Sequence, residues 1–239
     1  MPLPKIATPK YEIELPSTGQ TINYRPFLVK EEKVLVLALE SEDTKQITNA
    51  IKTVIKNCIQ TKGIKVESLP TFDIEYLFLN IRGKSVGEEI DINIICPDDE
   101  KTEVSIKINL DDISVKKLEE HTNRIKIDDS IMMEMKYPSL DQFIKNNFDF
   151  AEKSAMDQSF EMIASCIDTI YTEDEAWSTA DCSKKEITEF LDQMNSSQFK
   201  EIEKFFETMP KLSHTIKVKN PETKVESEVV LEGLASFFA

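Results

Sequence analysis

The stretch Arg82-Gly83-Lys84-Ser85-Val86-Gly87-Glu88 holds the residue types that cradle a phosphate: two glycines, a lysine and a hydroxyl in close order. A phosphate loop needs backbone amides converging at a helix N-terminus, with Lys-Ser or Lys-Thr opening that helix. Gly83-Lys84-Ser85 is present, but the first glycine of that pattern is missing, and Val86-Gly87-Glu88-Glu89-Ile90 reads as a strand. The glycines are therefore expected to permit a turn into a hairpin, and nucleotide binding is not expected.

Other chemistry has less material. His121 and His214 lie on opposite sides of a helical region, and no elbow motif surrounds any Ser or Cys. A hydrolase would need His121 or a carboxylate set in a cleft, since such sites are recognised by geometry. The pairs Asp98-Asp99, Asp111-Asp112 and Asp128-Asp129 arise by chance among 44 acidic residues and read as solvated turns. Cys58, Cys96, Cys166 and Cys182 have no metal-knuckle spacing. Cys96-Pro97-Asp98-Asp99 sits at a hairpin tip without the second cysteine a zinc knuckle requires. No catalytic residue, metal or cofactor is expected, and the chain is read as non-enzymatic.

The elements that would position any site follow from periodicity. YEIELPSTGQTINY alternates apolar and polar about Pro16-Ser17-Thr18-Gly19, a first hairpin. Val34, Leu35, Ala38 and Leu39, then Ile47, Ile51, Val54, Ile55 and Cys58, follow the helical period. The break falls at residues 41–44, where Asp43 or Thr44 caps the second helix. Phe72 to Ile81 is a helix or a buried strand, with Asp73 and Glu75 near its start favouring the helix. Glu88 to Cys96 and Val104 to Leu110 form a second hairpin, and Ile125–Ile127 and Ile131–Met135 add short strands. From about 139 to 209 the pattern is helical, with Met156, Phe160, Ile163, Ile167 and Ile170 as one stripe. His214 to Lys219 and Val225 to Leu231 make a third hairpin. The fold class is α+β, with hairpins at the start, middle and end around a mainly helical region. Residues 1–137 and 138–239 are expected as two regions packed as one unit.

The chain ends in GLASFFA. Adjacent phenylalanines cannot both face one core in a strand, so Phe237 or Phe238 is available as an aromatic anchor, or both fold back onto the helices.

Composition narrows the partners. The 239 residues carry a net charge of −15, which repels nucleic-acid phosphates and anionic lipid. The longest apolar run, Val34 to Leu39, is too short to span a bilayer, and no secretion signal is seen at the start. Neither nucleic acid, membrane nor small-molecule substrate is expected. Mimicry of DNA, or another host-factor-blocking role, is the outlying alternative. Interleaved Lys30-Glu31-Glu32-Lys33 and Lys200-Glu201-Ile202-Glu203-Lys204 disfavour it, because a mimic needs carboxylates arrayed alone.

TINYRPFLVKEEKVLVLALES, SLPTFDIEYLFLNIRGKSVGE and EFLDQMNSSQFKEIEKFFETMPKLSH resemble the baseplate protein family of T-even-type contractile-tailed bacteriophages. The family's members include hub subunits and hub assembly proteins. The similarity runs over nearly the whole chain, and Leu69 to Glu88 is its most specific part. In relatives the two later hairpin tips can carry paired cysteines; this sequence keeps only Cys96. The resemblance implies a non-enzymatic structural or assembly protein of the baseplate hub and central spike, with hub and spike proteins as partners. It implies the host cytoplasm during assembly and the tail baseplate if retained, the alternative being a chaperone absent from the finished virion. Arg82, Lys84 and Glu88 are then candidate docking residues, together with Phe237 and Phe238.

Overall fold

Residues 6–142 and 155–237 are described in the computed structural model of this chain. They form an α+β fold of small antiparallel sheets and helices. β1 (Tyr11–Glu14) pairs with β2 (Thr21–Tyr24), placing Ile13 opposite Ile22. α1 (Val29–Glu40) and α2 (Thr44–Cys58) follow, and the Asp43 carboxylate caps α2 by accepting from the N–H groups of Lys45 and Gln46. α3 (Thr71–Val86) runs into β3 (Glu89–Ile95), which pairs with β4 (Glu103–Asn109) along its whole length. Then come β5 (Ser114–Lys116), β6 (Arg124–Lys126) and β7 (Met132–Met135). α4 (Ala155–Cys166), β8 (Ile167–Tyr171) and β9 (Ala176–Ser178) lead to α5 (Lys184–Asp192) and α6 (Ser196–Thr208). The last hairpin is β10 (Lys211–Lys219) and β11 (Glu226–Glu232).

Two compact units share these elements. One comprises Met1–Val66, Phe72–Lys116 and Lys211–Ala239; the other comprises Glu67–Thr71 and Lys117–Pro210. A cut of the chain near residue 137 does not coincide with this division. The last hairpin belongs to the first unit because β10 pairs with β5, Leu212 opposite Val115, far back in sequence. There Leu79 of α3, Ile90, Ile92 and Ile108 of the β3–β4 hairpin, and Leu212, Ile216, Val218 and Leu231 of the last hairpin form one core. Alternation sets this up: Ile90, Ile92 and Ile94 of β3, Val104, Ile106 and Ile108 of β4, Leu212, Ile216 and Val218 of β10, and Val229 and Leu231 of β11 each share one face of their strand.

In the second unit, Ile125, Met133, Met135 and Ile167 of the sheet β6-β7-β8-β9 pack with Ile187, Leu191, Ile202 and Phe205 of α5 and α6. The expected helical region at 139–209 is therefore interrupted. The helix stripe through Met156, Phe160 and Ile163 ends at Cys166, and Ile167 and Ile170 lie in β8, opposite Met135 and Met133. Residues three apart fit a helix face, but Ile167-Asp168-Thr169-Ile170-Tyr171 is rich in β-branched and aromatic side chains, and β7 offers an edge to pair with. Ser139 caps as expected: its hydroxyl accepts from Gln142 N–H at 3.3 Å while Gln142 Oε1 accepts from Ser139 N–H at 2.7 Å.

Candidate interaction surface

Arg82, Gly83, Lys84 and Ser85 lie in the last turns of α3, so Gly83 is helical, not a turn residue as the sequence suggested. Its missing side chain admits the second hairpin: a Cβ there would stand 3.2 Å from Leu110 Cδ1. Gly87 makes the turn, at φ +133°, a conformation that needs glycine, and donates its N–H to the Gly83 carbonyl at 3.0 Å. The Ser85 hydroxyl donates to the Ile81 carbonyl and accepts the Phe27 N–H at 2.9 Å, tying the entry of α1 to the end of α3. Lys84 pairs with Glu88, which raises the lysine pKa, and its ammonium lies 5.8 Å from the Tyr11 ring centroid. A helix C-terminus presents carbonyls and the negative end of the dipole, so this stretch is built opposite in polarity to a phosphate cradle. Arg82 is half-buried, and burial pushes its guanidinium pKa down.

The structure thus brings Lys84 and Glu88 together at the surface, while Arg82, two residues before Lys84, turns to the other side of α3 and is half-buried. It places Phe237 elsewhere: at 1% exposure that ring is part of the first unit's core, among Leu79, Leu212 and Leu231. An apolar ring this completely enclosed is a packing residue, which corrects its candidacy as a docking anchor. Phe238 lies outside the described residues.

The surface that sequence reasoning missed is α1. Its helical stripe was expected to bury Val34, Leu35, Ala38 and Leu39, yet of these only Ala38 is buried. Leu37 is 67% exposed and Leu39 60%, and Leu28, Val29, Val34 and Val36 are exposed with them. Beneath, at 2% exposure, sits Glu31. Arg25 Nη2 donates to Glu31 Oε1 at 3.0 Å, and the Leu28 N–H donates to Oε2 at 2.9 Å. Burial raises the Glu31 pKa, but the Arg25 and Leu28 bonds outweigh it and hold the carboxyl below its usual range. Scattered exposed hydrophobics are ordinary, but here five fall within α1 and Leu28 immediately precedes it. The signal available beforehand was the unbroken run Val34-Leu35-Val36-Leu37-Ala38-Leu39, too wide for one buried face of a helix.

The residues that could do chemistry are occupied. The His121 ring is buried against Tyr137 and Phe205. Its Nδ1 lies 3.0 Å from Thr208 Oγ1 and its Nε2 2.9 Å from the Tyr137 hydroxyl. Cys58 and Cys166 are buried thiols pushed up to about 11, and Cys96 is raised by burial and by Asp98 and Asp99. Among the described residues, no group of three or more His, Cys, Asp or Glu is arranged to hold a metal. The two later hairpin tips are joined differently. Buried Asn220 sets Nδ2 3.1 Å from both Asp98 oxygens and 2.9 Å from Asp99 Oδ2, while its Oδ1 accepts the N–H groups of Glu222 and Thr223. Bonds from the Thr102 hydroxyl and N–H, then from Asn220, hold the Asp99 carboxyl far below its usual range.

No helix among the described residues is long and apolar enough to cross a membrane. No curated protein and no solved structure matches the chain. A family model described as T4 bacteriophage base plate protein matches residues 8–239. With that match over essentially the whole length, the chain belongs to the T4-type phage baseplate protein family.

Proposed function

We propose that the protein is a non-enzymatic subunit of the baseplate hub or central spike, held there through the apolar face of α1. The observation that carries this reading is the inversion in α1: valines and leucines outward, a glutamate inward. Lys84 and Glu88, beside the entry of α1, supply the charged rim of the same contact, and Arg82 is a further candidate on α3. Apolar centres with polar rims are the usual anatomy of protein interfaces.

Mass spectrometry of purified phage particles against infected-cell lysate tests the proposal. A fixed stoichiometry with tail proteins makes the chain a structural subunit. Its presence only in lysate, bound to hub proteins, makes it an assembly chaperone; its absence from both defeats the hub assignment. The double variant Leu37→Lys/Leu39→Lys locates the contact. Both side chains are solvent-exposed, so stability should change by less than about 0.5 kcal/mol, while incorporation is lost. Normal incorporation would remove α1 from the interface. Arg82→Glu should likewise block incorporation in a folded chain; if the purified variant unfolds, Arg82 is a structural residue instead.

A further inference from the structure

We propose that the outer edge of β11 is a docking site for an extended, lysine- or arginine-rich strand of another protein. This inference rests on the last hairpin alone and not on α1. Gly233 donates its N–H to the Leu212 carbonyl and Asn220 donates its N–H to the Val225 carbonyl. With the register Ser213↔Glu232 through Lys219↔Glu226, these bonds fix which residues face inward. The odd-numbered residues of β11 bond to β10, so Glu226, Glu228, Val230 and Glu232 turn their N–H and C=O groups outward. At the end of the strand the Glu232 carbonyl accepts the Ser236 hydroxyl at 2.7 Å, so the open edge runs from Glu226 to Val230 and ends at the Glu232 N–H. β11 is the terminal strand of the sheet β11-β10-β5, and no described strand pairs with its far side. The strand is seven residues long, pairs without a bulge and contains no proline; the charges that guard its edge are glutamates, which exclude an acidic or like-charged strand and leave a basic one favoured.

Charge selects the occupant. Glu226, Glu228 and Glu232 stand on the exposed face with Val230, itself 56% exposed. The cross-strand partners Lys219 and Lys217 lie 3.3 and 3.8 Å from Glu226 and Glu228, and Lys211, diagonal to Glu232, lies 3.6 Å from it. All are solvent-exposed pairs of small energy that an incoming cation can share. A second copy paired antiparallel on a twofold centred at Val229 would set Glu226 against Glu232, and neighbouring centres also oppose glutamates, which is unfavourable. A basic strand instead places a cation opposite each carboxylate while its backbone completes the ladder.

The test is residue-resolved amide exchange on the full chain, with a peptide of alternating Lys and Thr or Val as probe and its Glu counterpart as control. Exchange at Glu226, Glu228, Val230 and Glu232 should slow with the basic probe only, leaving Ser227, Val229 and Leu231 unchanged. Val230→Pro removes an outward N–H without touching a β10 bond and should weaken probe binding about fivefold, the value of one net hydrogen bond. Should that variant misfold, Glu226→Gln/Glu228→Gln/Glu232→Gln tests the charges, and must lower affinity for the basic probe. Equal binding of the Glu peptide, no slowing at saturating probe, or amides already slow in the free chain overturns the proposal. Concentration-dependent slowing without probe also overturns it, by assigning the edge to a second copy.

Discussion

Acidification should loosen the second unit through His121. The Thr208 hydroxyl donates to the Lys204 carbonyl at 2.7 Å, so Thr208 Oγ1 receives the His121 Nδ1–H. Nε2 is then the acceptor of the Tyr137 hydroxyl. This chain of donors requires a neutral ring, and burial, followed by the charge of Lys117, pushes the His121 pKa below its ordinary value. The sign follows from linkage: a folded-state pKa depressed below the unfolded one gives stability that is full above about pH 6.5. That stability is lost as pH falls through the folded value. Replacing His121 by alanine removes two net hydrogen bonds of about 1 kcal/mol each and part of a stacked ring cluster. The expected loss at pH 7.5 is about 3 kcal/mol, or a fall in Tm of roughly 6–12 °C. His121→Gln should lose less and should flatten the dependence of Tm on pH between about 7 and 5. Calorimetry across pH measures both, and nitrogen chemical shifts of the imidazole report tautomer and titration directly. An Nε2–H tautomer, or titration at or above the ordinary histidine value, would refute the reasoning.

Two further substitutions probe buried polar pairs. Glu31→Gln leaves the Arg25 guanidinium without its anionic partner and should lower the urea midpoint at pH 7 by the equivalent of about 3 kcal/mol. Because the folded Glu31 carboxyl titrates below its usual value, its stabilisation is present above that value and lost as pH falls through the folded one. The gap between wild type and variant should therefore narrow in acid. Asn220→Ala should cost about 2 kcal/mol and speed amide exchange at Glu222 and Thr223, whose N–H groups it now receives. Unchanged exchange there would mean that the hairpin tips hold themselves.

The three hairpins were legible because alternation and turn residues agree. Ile90 and Ile92 face the core opposite Ile108 and Ile106, and Pro97-Asp98-Asp99 marks the reversal. The Asp43 cap was legible for the same reason: at the start of α2 cap and period coincide. The β8 strand was not, since Ile167 and Ile170 satisfy a helix face and only the distant β7 edge decides between the two. Gly83 misled for a related reason. Within a helix it looks like a breaker, and the close approach of Leu110 that explains it comes from 27 residues away in the chain (110 − 83). At α1 the run of apolar residues carried no preferred face, so the buried partner of Arg25 could not be guessed from spacing.

That inversion in α1 bears on why the helix exists. A buried ion pair contributes less to a fold than apolar packing of similar volume, so turning α1 to bury Leu37 and expose Glu31 would favour the isolated chain. The sequence instead fixes the opposite rotation with Arg25, the Leu28 N–H and the Phe27–Ser85 bond, each specific in geometry. Such a helix spends monomer stability to keep its apolar residues outward. The net charge of −15 opposes association between copies of a chain with this exposed face. On the proposed docking through α1, the exposed face and the acidic surface answer one requirement: an apolar contact kept available on a chain whose copies repel one another.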